Sequence, residues 1–321
     1  MSPFSFHTIG EEVAIALADR VKGRTFVITG ASEKSLAASA AIELAKQSPE
    51  HIVFVARSKA KIDPVTSEIQ SIASSVKTTF VQCDLTDQES IRNAAEEINS
   101  NGHIEKIDAL INSAGIMNIK DYTVDNKGNE LTFSANHIGH FLLTNLLIPK
   151  ILAAGKGARI VNLTSRGHRI SNVRFDDPDF SGGAAYDGWS AYGQSKTANV
   201  LFSVELDRRL AGRGVRSYAV HPGSIWGTGL ATHLDMSDFG DIDHVARRNT
   251  GRPFTLEEMK TIPEGTSAML VAALDPDLES RDGVFVEDCQ HGEPYDYALD
   301  PEGARRLWKL SEALVGQEFD P

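Results

Sequence analysis

Tyr192 and Lys196 stand four residues apart in the run Tyr-Gly-Gln-Ser-Lys, the part of the chain best suited to chemistry. On a helix, residues i and i+4 share one face. The ammonium would then favour the phenolate of the tyrosine, pulling down a pKa that is normally about 10. A phenol tuned in this way can give a proton to an alcohol oxygen or accept one from it. Alone, a Tyr-x-x-x-Lys pair is weak evidence, because solvated helices carry such pairs by chance. Its weight comes from the order of residues upstream.

Those residues need elements to position them. Near-continuous apolar or β-branched runs at 24–29, 52–56, 78–82, 109–112, 159–163 and 217–220 predict buried strands. Between them, apolar residues recur at helical spacing over 36–47, 89–99, 136–152 and 191–210. Such alternation predicts an α/β protein, a doubly wound parallel sheet of about seven strands with helices on both faces. No repeat, linker or shift of composition divides residues 1–321, so one domain is expected. Two segments break the rhythm, 166–190 and 224–262. In an open parallel sheet, long excursions of this kind follow strands at the carboxyl edge, where ligands bind.

The first strand runs through Thr29-Gly30-Ala31-Ser32-Glu33-Lys34-Ser35-Leu36-Ala37 directly into a helix. Small residues at that turn would let backbone amides and the helix dipole meet a pyrophosphate. The candidate contacts are Gly30, Ser32, Lys34, Ser35 and Leu36. Only Gly30 fits a Gly-rich fingerprint, so an ordinary βα turn stays about equally open. If the turn holds one extra residue, Ser35 and Ala37 take the places of later glycines. Arg57 closes the second strand, where an NAD site would need an acid for the ribose 2′-hydroxyl. An arginine there suits a 2′-phosphate, with Lys34 approaching from the turn and Lys59 as a weaker third; a solvated strand-end cation is the plainer alternative. Together these residues point to NADP(H). Asp84 after the third strand is placed either to receive an adenine amino group or to cap the helix starting near Asp87. After the fourth strand, Asn112-Ser113-Ala114-Gly115 would let the chain pass beside a cofactor.

Composition narrows the field. The chain has 321 residues, 41% hydrophobic and 24% charged, as in ordinary globular proteins. Its net charge of −12, without a strongly basic run, argues against a nucleic-acid partner. Cys83 and Cys289, far apart in sequence, offer no disulfide framework. The opening Met-Ser-Pro-Phe-Ser-Phe-His lacks a signal-peptide pattern, and the apolar stretch 141–154 is too short to cross a bilayer. A soluble cytoplasmic protein with no membrane partner is expected.

Taken in order, these motifs resemble the short-chain dehydrogenase/reductase family over roughly residues 20–290. The matching residues are the Thr-Gly turn, Asp84-Leu85, Asn112-x-Ala114-Gly115, Asn136, Ser165, Tyr192-x-x-x-Lys196 and Pro222-Gly223. The segment between Ser165 and Tyr192, and the ending Leu299-Asp300-Pro301 … Leu307-Trp308-Lys309-Leu310-Ser311, are similar to the retinol-dehydrogenase-like branch, in its soluble, fungal form. The resemblance implies a Rossmann fold and a hydride transfer between NADP(H) and a ketone or secondary alcohol. It makes Tyr192 the general acid/base, and Lys196 the residue that tunes it and holds the nicotinamide ribose. Ser165 becomes the donor to the substrate oxygen, and Asn136 the anchor of a water in the proton relay. Pro222, Gly223, Ile225 and Thr228 become the segment along the nicotinamide. The turn lacks two of the family's glycines. Thr228 lies one residue further from Pro222-Gly223 than usual, so a bulge at Gly227 is expected. No membrane-anchoring N-terminus of the kind found in several retinol dehydrogenases is expected.

Other features carry less. His137 and His140, at i and i+3, have no nearby carboxylate or thiolate, so no metal is expected. His168 and His221 read as structural or pocket-lining, 200–210 as core or subunit contact, and Arg305, Arg306 and Lys309 as a solvated helix face. The substrate is expected to be a small hydrophobic ketone or alcohol, met by Tyr186, Trp189, Trp226, His233, Met236 and Phe239. A homodimer through the helices near 126–154 and 191–210 is open. Two other functions compete. An epimerase or dehydratase of the extended family type is disfavoured by the turn spacing and the absence of a C-terminal substrate domain. A non-catalytic NADP(H)-binding regulator would not need Ser165, Tyr192, Lys196 and Asn136 together.

Overall fold

Five of the apolar runs form strands buried on both faces between two layers of helix; the sixth, at 78–82, lies at the sheet edge, where only Val81 is buried and the expected buried strand is not found. In the computed structural model, which describes residues 3–280 and 283–321, α1 (Gly10–Ala16) precedes the alternation. Then come β1 (Thr25–Thr29), α2 (Leu36–Ala45), β2 (His51–Ala56), α3 (Asp63–Ile72), β3 (Lys77–Gln82), α4 (Gln88–Ser100) and β4 (Ala109–Asn112). The second half holds α5 (Leu131–Phe133), α6 (Gly139–Ala154), β5 (Ala158–Leu163), α7 (Gly188–Leu210), β6 (Val215–His221) and β7 (Ser224–Ile225). It ends with α8 (Ile242–Thr250), β8 (Met259–Lys260), α9 (Ile262–Leu274), β9 (Phe285–Glu287), β10 (Gln290–His291), α10 (Asp296–Leu299) and α11 (Pro301–Val315).

The main sheet has the order β10-β9-β6-β5-β4-β1-β2-β3, parallel except for the antiparallel edge strand β10. The expected doubly wound α/β sheet is therefore present with eight strands. β9 and β10 escape a reading of periodicity because they have only three and two residues. Side chains of β1 alternate as the pleat requires. Phe26 and Ile28 pack with Leu44, Met269 and Leu270 beneath α2 and α9. Val27 faces the other way, with Ile91, Phe141, Leu201 and Trp308 from α4, α6, α7 and α11. Each such side chain contributes about 1.5–3 kcal/mol by leaving water. The order turns back between β1 and β4, whose neighbours keep the register Ile28↔Ile111, Thr29↔Val55 and Asn112↔Asn162. The loops at this switch point therefore leave the sheet at one level, where such folds bind ligands.

The helix expected at 136–152 is longer. It begins with α5, passes through a π turn at Ser134–Ile138 and continues into α6, giving a 24-residue run from Leu131 to Ala154. By length and composition that run could cross a bilayer, unlike the 141–154 stretch considered alone, but most of it is buried inside the protein. Both irregular segments remain largely irregular. The first holds a 3-10 turn at Arg166–Arg169. The second holds β7, α8 and β8 and forms a cap over the carboxyl edge of the sheet.

Candidate active site

Tyr192 and Lys196 both lie on α7, a helix capped by Asp187, whose side chain accepts from Ser190 N. They are 4% and 5% exposed. The Lys196 ammonium lies 5.6 Å from the centroid of the Tyr192 ring and donates to Leu163 O at 3.2 Å. Ser165 follows the end of β5 beside them, its Oγ accepting from Gly167 N (3.0 Å) and lying close enough to the Tyr192 phenol to lower its pKa. Gly167 makes that meeting possible, because a Cβ there would sit 2.6 Å from Tyr192 Cε1.

Asn136 sits in the π turn, a feature common at functional sites. Its Oδ1 accepts from Ile116 N (2.8 Å), and its Nδ2 donates to Ile116 O and to Ser195 Oγ (both 2.9 Å). Ser195 in turn donates to Tyr192 O (2.8 Å). Gly115 closes the group: a Cβ there would lie 3.1 Å from Asn136 Oδ1 and 3.6 Å from Lys196 Nζ. Behind it, Thr29 Oγ1 accepts from Ser113 N and Ala114 N, so its proton goes to His140 Nε2 (2.9 Å). That leaves His140 Nδ1 as the donor to Asn136 O (3.0 Å), a tautomer assigned from the network.

Burial governs the protonation states. It pushes the Tyr192 phenol up to about 12, against a smaller lowering by Ser165, and brings the Lys196 ammonium down to about 8. The sequence suggests the opposite shift for Tyr192. The reason for the difference is position: Lys196 is directed at Leu163 O and lies by the ring, while desolvation penalises the phenolate. Tyr192 is thus a protonated donor at neutral pH.

The nucleotide side shows the predicted cradle in altered form. Gly30 has φ +75°, and a Cβ on it would meet Ala114 Cα at 2.6 Å, so it serves the β1–β4 contact as well as the turn. Lys34 takes φ +63°, a conformation that favours glycine. Ser35 caps α2 by accepting from Ala38 N (3.0 Å), and its own N–H donates to Ser32 O (3.0 Å), closing the turn before Leu36. Lys34 and Arg57 are exposed and form no ion pair among the described residues, whereas Lys59 is paired with Asp63. Asp84 does not cap α4: Asp87 does, accepting from Glu89 N, while Asp84 Oδ1 accepts from Thr86 N and Oγ1. Leu85 packs against Gly139, where a Cβ would come 2.2 Å from Leu85 O. Asn112 turns inward, donating to Thr144 Oγ1 and Asn162 Oδ1, so its amide ties β4 to β5.

Ile225 meets Leu36 over Gly265, where a Cβ would fall 2.2 Å from Ile225 Cδ1 and 3.0 Å from Leu36 Cδ2. Gly223 has φ +92° and Gly227 φ +87°, the latter at the expected irregularity before Thr228. Pro222 is buried beside them. These glycines, the turn and the free cations fit a dinucleotide phosphate.

On the substrate side, Tyr192 packs with Met117, Ile170, Trp189, Leu234, Ile242 and Val245, joined by Phe239 and Phe254. Of the predicted lining, Trp189 and Phe239 are in this cluster. His233 reaches Met117 O (2.8 Å) across the cleft. Trp226 and Met236 are exposed, at 54% and 70%, and Tyr186 donates to Ile119 O against Tyr122 and Phe180. Leu234 was not predicted, because an irregular loop has no period to tell which residue faces in. Ser195, Gly167 and Gly265 were also missed as site residues. The Ser195 hydroxyl, inside the Tyr-Gly-Gln-Ser-Lys run, was the one with a local signal. His137 Nε2 meets Ser311 Oγ, His140 is engaged by Thr29 and Asn136, and burial brings the two imidazoles down to about 3 and 4.

Comparison with known proteins agrees with this geometry. A family model described as short chain dehydrogenase matches residues 24–177. Retinol dehydrogenase 12 of Mus musculus is 33% identical over 309 residues, covering 94% of this chain and 89% of that protein. The crystal structure of an uncharacterised protein from Mycobacterium paratuberculosis is 29% identical, with a TM-score of 0.68 over 93% of this chain and 96% of that one. A short-chain dehydrogenase from Sphingobium yanoikuyae, solved in complex with NADPH, shares the fold with a TM-score of 0.57 and 23% identity, over 77% of this chain and 83% of that one. Relatives similar along nearly the whole chain show that it belongs to the short-chain dehydrogenase/reductase family of oxidoreductases.

Proposed function

We propose that the protein is an NADP(H)-dependent reductase of apolar ketones that uses Ser165, Tyr192, Lys196 and Asn136. The observation that carries this reading is the Tyr192 phenol, beside Ser165 and packed under an apolar cap. A carbonyl oxygen placed beside the two hydroxyls receives two hydrogen bonds as negative charge develops on it, which stabilises the transition state. Tyr192 then passes its proton to that oxygen. The protonated phenol is the form that gives a proton to a carbonyl oxygen, as reduction requires. Lys196 keeps a positive charge by the ring while the phenolate forms, and Asn136 holds the 116 loop against α7 through Ile116 and Ser195. Bound NADPH would supply the hydride.

The choice of NADP(H) rests on Lys34 and Arg57, two unpaired cations at the carboxyl edges of neighbouring strands, and on the absence of an acid after β2. The NADPH-bound Sphingobium yanoikuyae neighbour supports it. The apolar lining of Met117, Trp189, Leu234 and Phe239 supports a hydrophobic substrate. Following NADPH absorbance over a panel of ketones tests the reading. Tyr192→Phe should lower kcat about 10²–10⁴-fold while NADPH still binds. Turnover retained in that variant overturns the mechanism.

A further inference from the structure

The cap returns to the sheet through residues 251–258, where one carboxylate gathers donors from three places. Glu257 Oε1 accepts from His221 Nε2 (2.8 Å) and Ser224 Oγ (2.7 Å), and Oε2 accepts from Arg166 Nη1 (2.8 Å). Arg166 also donates from Nε to Thr255 O (2.9 Å) and from Nη2 to Thr255 Oγ1 (3.1 Å). Gly223 N–H is directed at His221 Nδ1 (3.4 Å), which leaves Nε2 as the protonated nitrogen. Burial opposes a charge on Glu257, yet the bonds from His221 and Ser224 and the Arg166 charge hold it down to about 2.

Each donor adjoins a part of the site. Arg166 follows Ser165, His221 precedes Pro222-Gly223, and Ser224 precedes Ile225. On the other side of the clasp, Phe254 stands one residue before Thr255 and packs in the apolar cluster with Tyr192. His221, Glu257 and Glu287 bring their ligand atoms within 4.8 Å of one another, a spacing that would suit a divalent cation. The Arg166 guanidinium already supplies the positive charge, 2.8 Å from Glu257 and 4.0 Å from Glu287. The cluster is therefore closed as an ion-pair clasp.

We infer that Glu257 is a positioning residue: it locks the return limb of the cap to Ser165 and to Pro222-Gly223, so that the cap's apolar face and the hydrogen-bonding serine stay in register over Tyr192. The kinetic side of this inference rests on the reductase reading, and the structural side does not. Bulky ketones, which span both the cap and Ser165, depend on that register more than small ones.

The test compares wild type, Glu257→Ala and Glu257→Gln in two ways. Kinetics with NADPH and a small and a bulky apolar ketone should show the bulky substrate losing at least about tenfold in kcat/KM in Glu257→Ala, through a raised KM, with a much smaller loss for the small one. Glu257→Gln keeps an acceptor for His221 and Ser224 but presents an amide to Arg166, and should fall between. Hydrogen exchange should quicken in peptides covering 226–254 and Ser165 and stay unchanged in β1 to β4. Equal losses for both ketones, or faster exchange throughout the protein, would mean a general stability role and overturn the inference. If wild type reduces no ketone, the reductase reading fails while the exchange comparison still decides the clasp.

Discussion

The floor of the site and the cap above it are held by different kinds of bond. In the floor, Asn136–Ser195, Ser195–Tyr192, Thr164–Lys196, Asn112–Asn162 and Asn162–Ser203 all join buried atoms. Breaking one strands a buried polar partner, at a cost of about 1–3 kcal/mol. Apart from the Glu257 clasp, the cap is fastened at its rim by pairs partly open to water, such as Lys120 with Asp238 and Arg248 with Asp187. Exposed pairs of this kind contribute about 0–1 kcal/mol each. The contrast separates two tasks: the floor keeps reacting groups in place, and the cap is free to vary with the substrate without disturbing them.

The sharpest way to break that contrast is to disturb the floor by one methyl group. Gly167→Ala would place its Cβ 2.6 Å from Tyr192 Cε1, so the ring must leave Ser165. A displacement near 1 Å costs about 10²-fold, which is the expected loss in kcat/KM, with NADPH affinity unchanged. Wild-type turnover in this variant would mean the floor yields as easily as the cap. The next largest effect lies outside both regions. Replacing Lys34 and Arg57 together by alanine should weaken NADPH binding by about 10–100-fold while leaving NADH binding nearly unchanged, as read by fluorescence titration. Equal losses for the two cofactors would remove the 2′-phosphate assignment.

This division also explains what the sequence could reveal. Tyr192 and Lys196 lie one helical turn apart, and Ser165 and Gly30 end strands, so their positions follow from local periodicity. The alternation of strands and helices likewise locates the strands as far as β6. Long-range partners leave no such trace. Nothing near Glu257 points to Arg166, 91 residues earlier. Asn112 looks like a cofactor contact, yet its amide is engaged by Thr144 and Asn162, partners that only the fold supplies. In the cap, Leu234 turns inward and Met236 outward, a difference of two residues in a segment with neither helical nor strand period. The Tyr192 shift was misjudged because burial, set by the whole fold, outweighs the neighbouring lysine.

A smaller effect sharpens the comparison through pH. His137, His140 and His168 are buried around the floor, and burial brings them to about 3, 4 and 3, well below the unfolded value of about 6.5. Below pH 6.5 the unfolded chain therefore binds more protons than the folded one, and stability falls with acidification. The loss should run from pH 6.5 down to about 4 for His140 and about 3 for His137 and His168, at up to about 1.4 kcal/mol per pH unit for each histidine. Denaturant midpoints across that range measure it. His137→Leu should flatten the limb by one histidine's share, since the Ser311 hydroxyl keeps its bond to Leu307 O. An unchanged slope would place the acid sensitivity elsewhere.

The smallest expected effect comes from a second glycine, chosen because its reason for being glycine is the reverse of Gly167's. Gly251 ends α8 in the left-handed region, at φ +73°, and a Cβ on it would meet nothing within 4 Å. At Gly167 the obstacle is filled space; at Gly251 it is backbone strain alone. Gly251→Ala should therefore cost about 1 kcal/mol, confined to the cap. That corresponds to roughly fivefold faster exchange of the α8 amides, with kcat within about twofold of wild type. A large fall in kcat would show that strain in the cap is transmitted to Tyr192, and the two regions would then have to be treated as one mechanical unit.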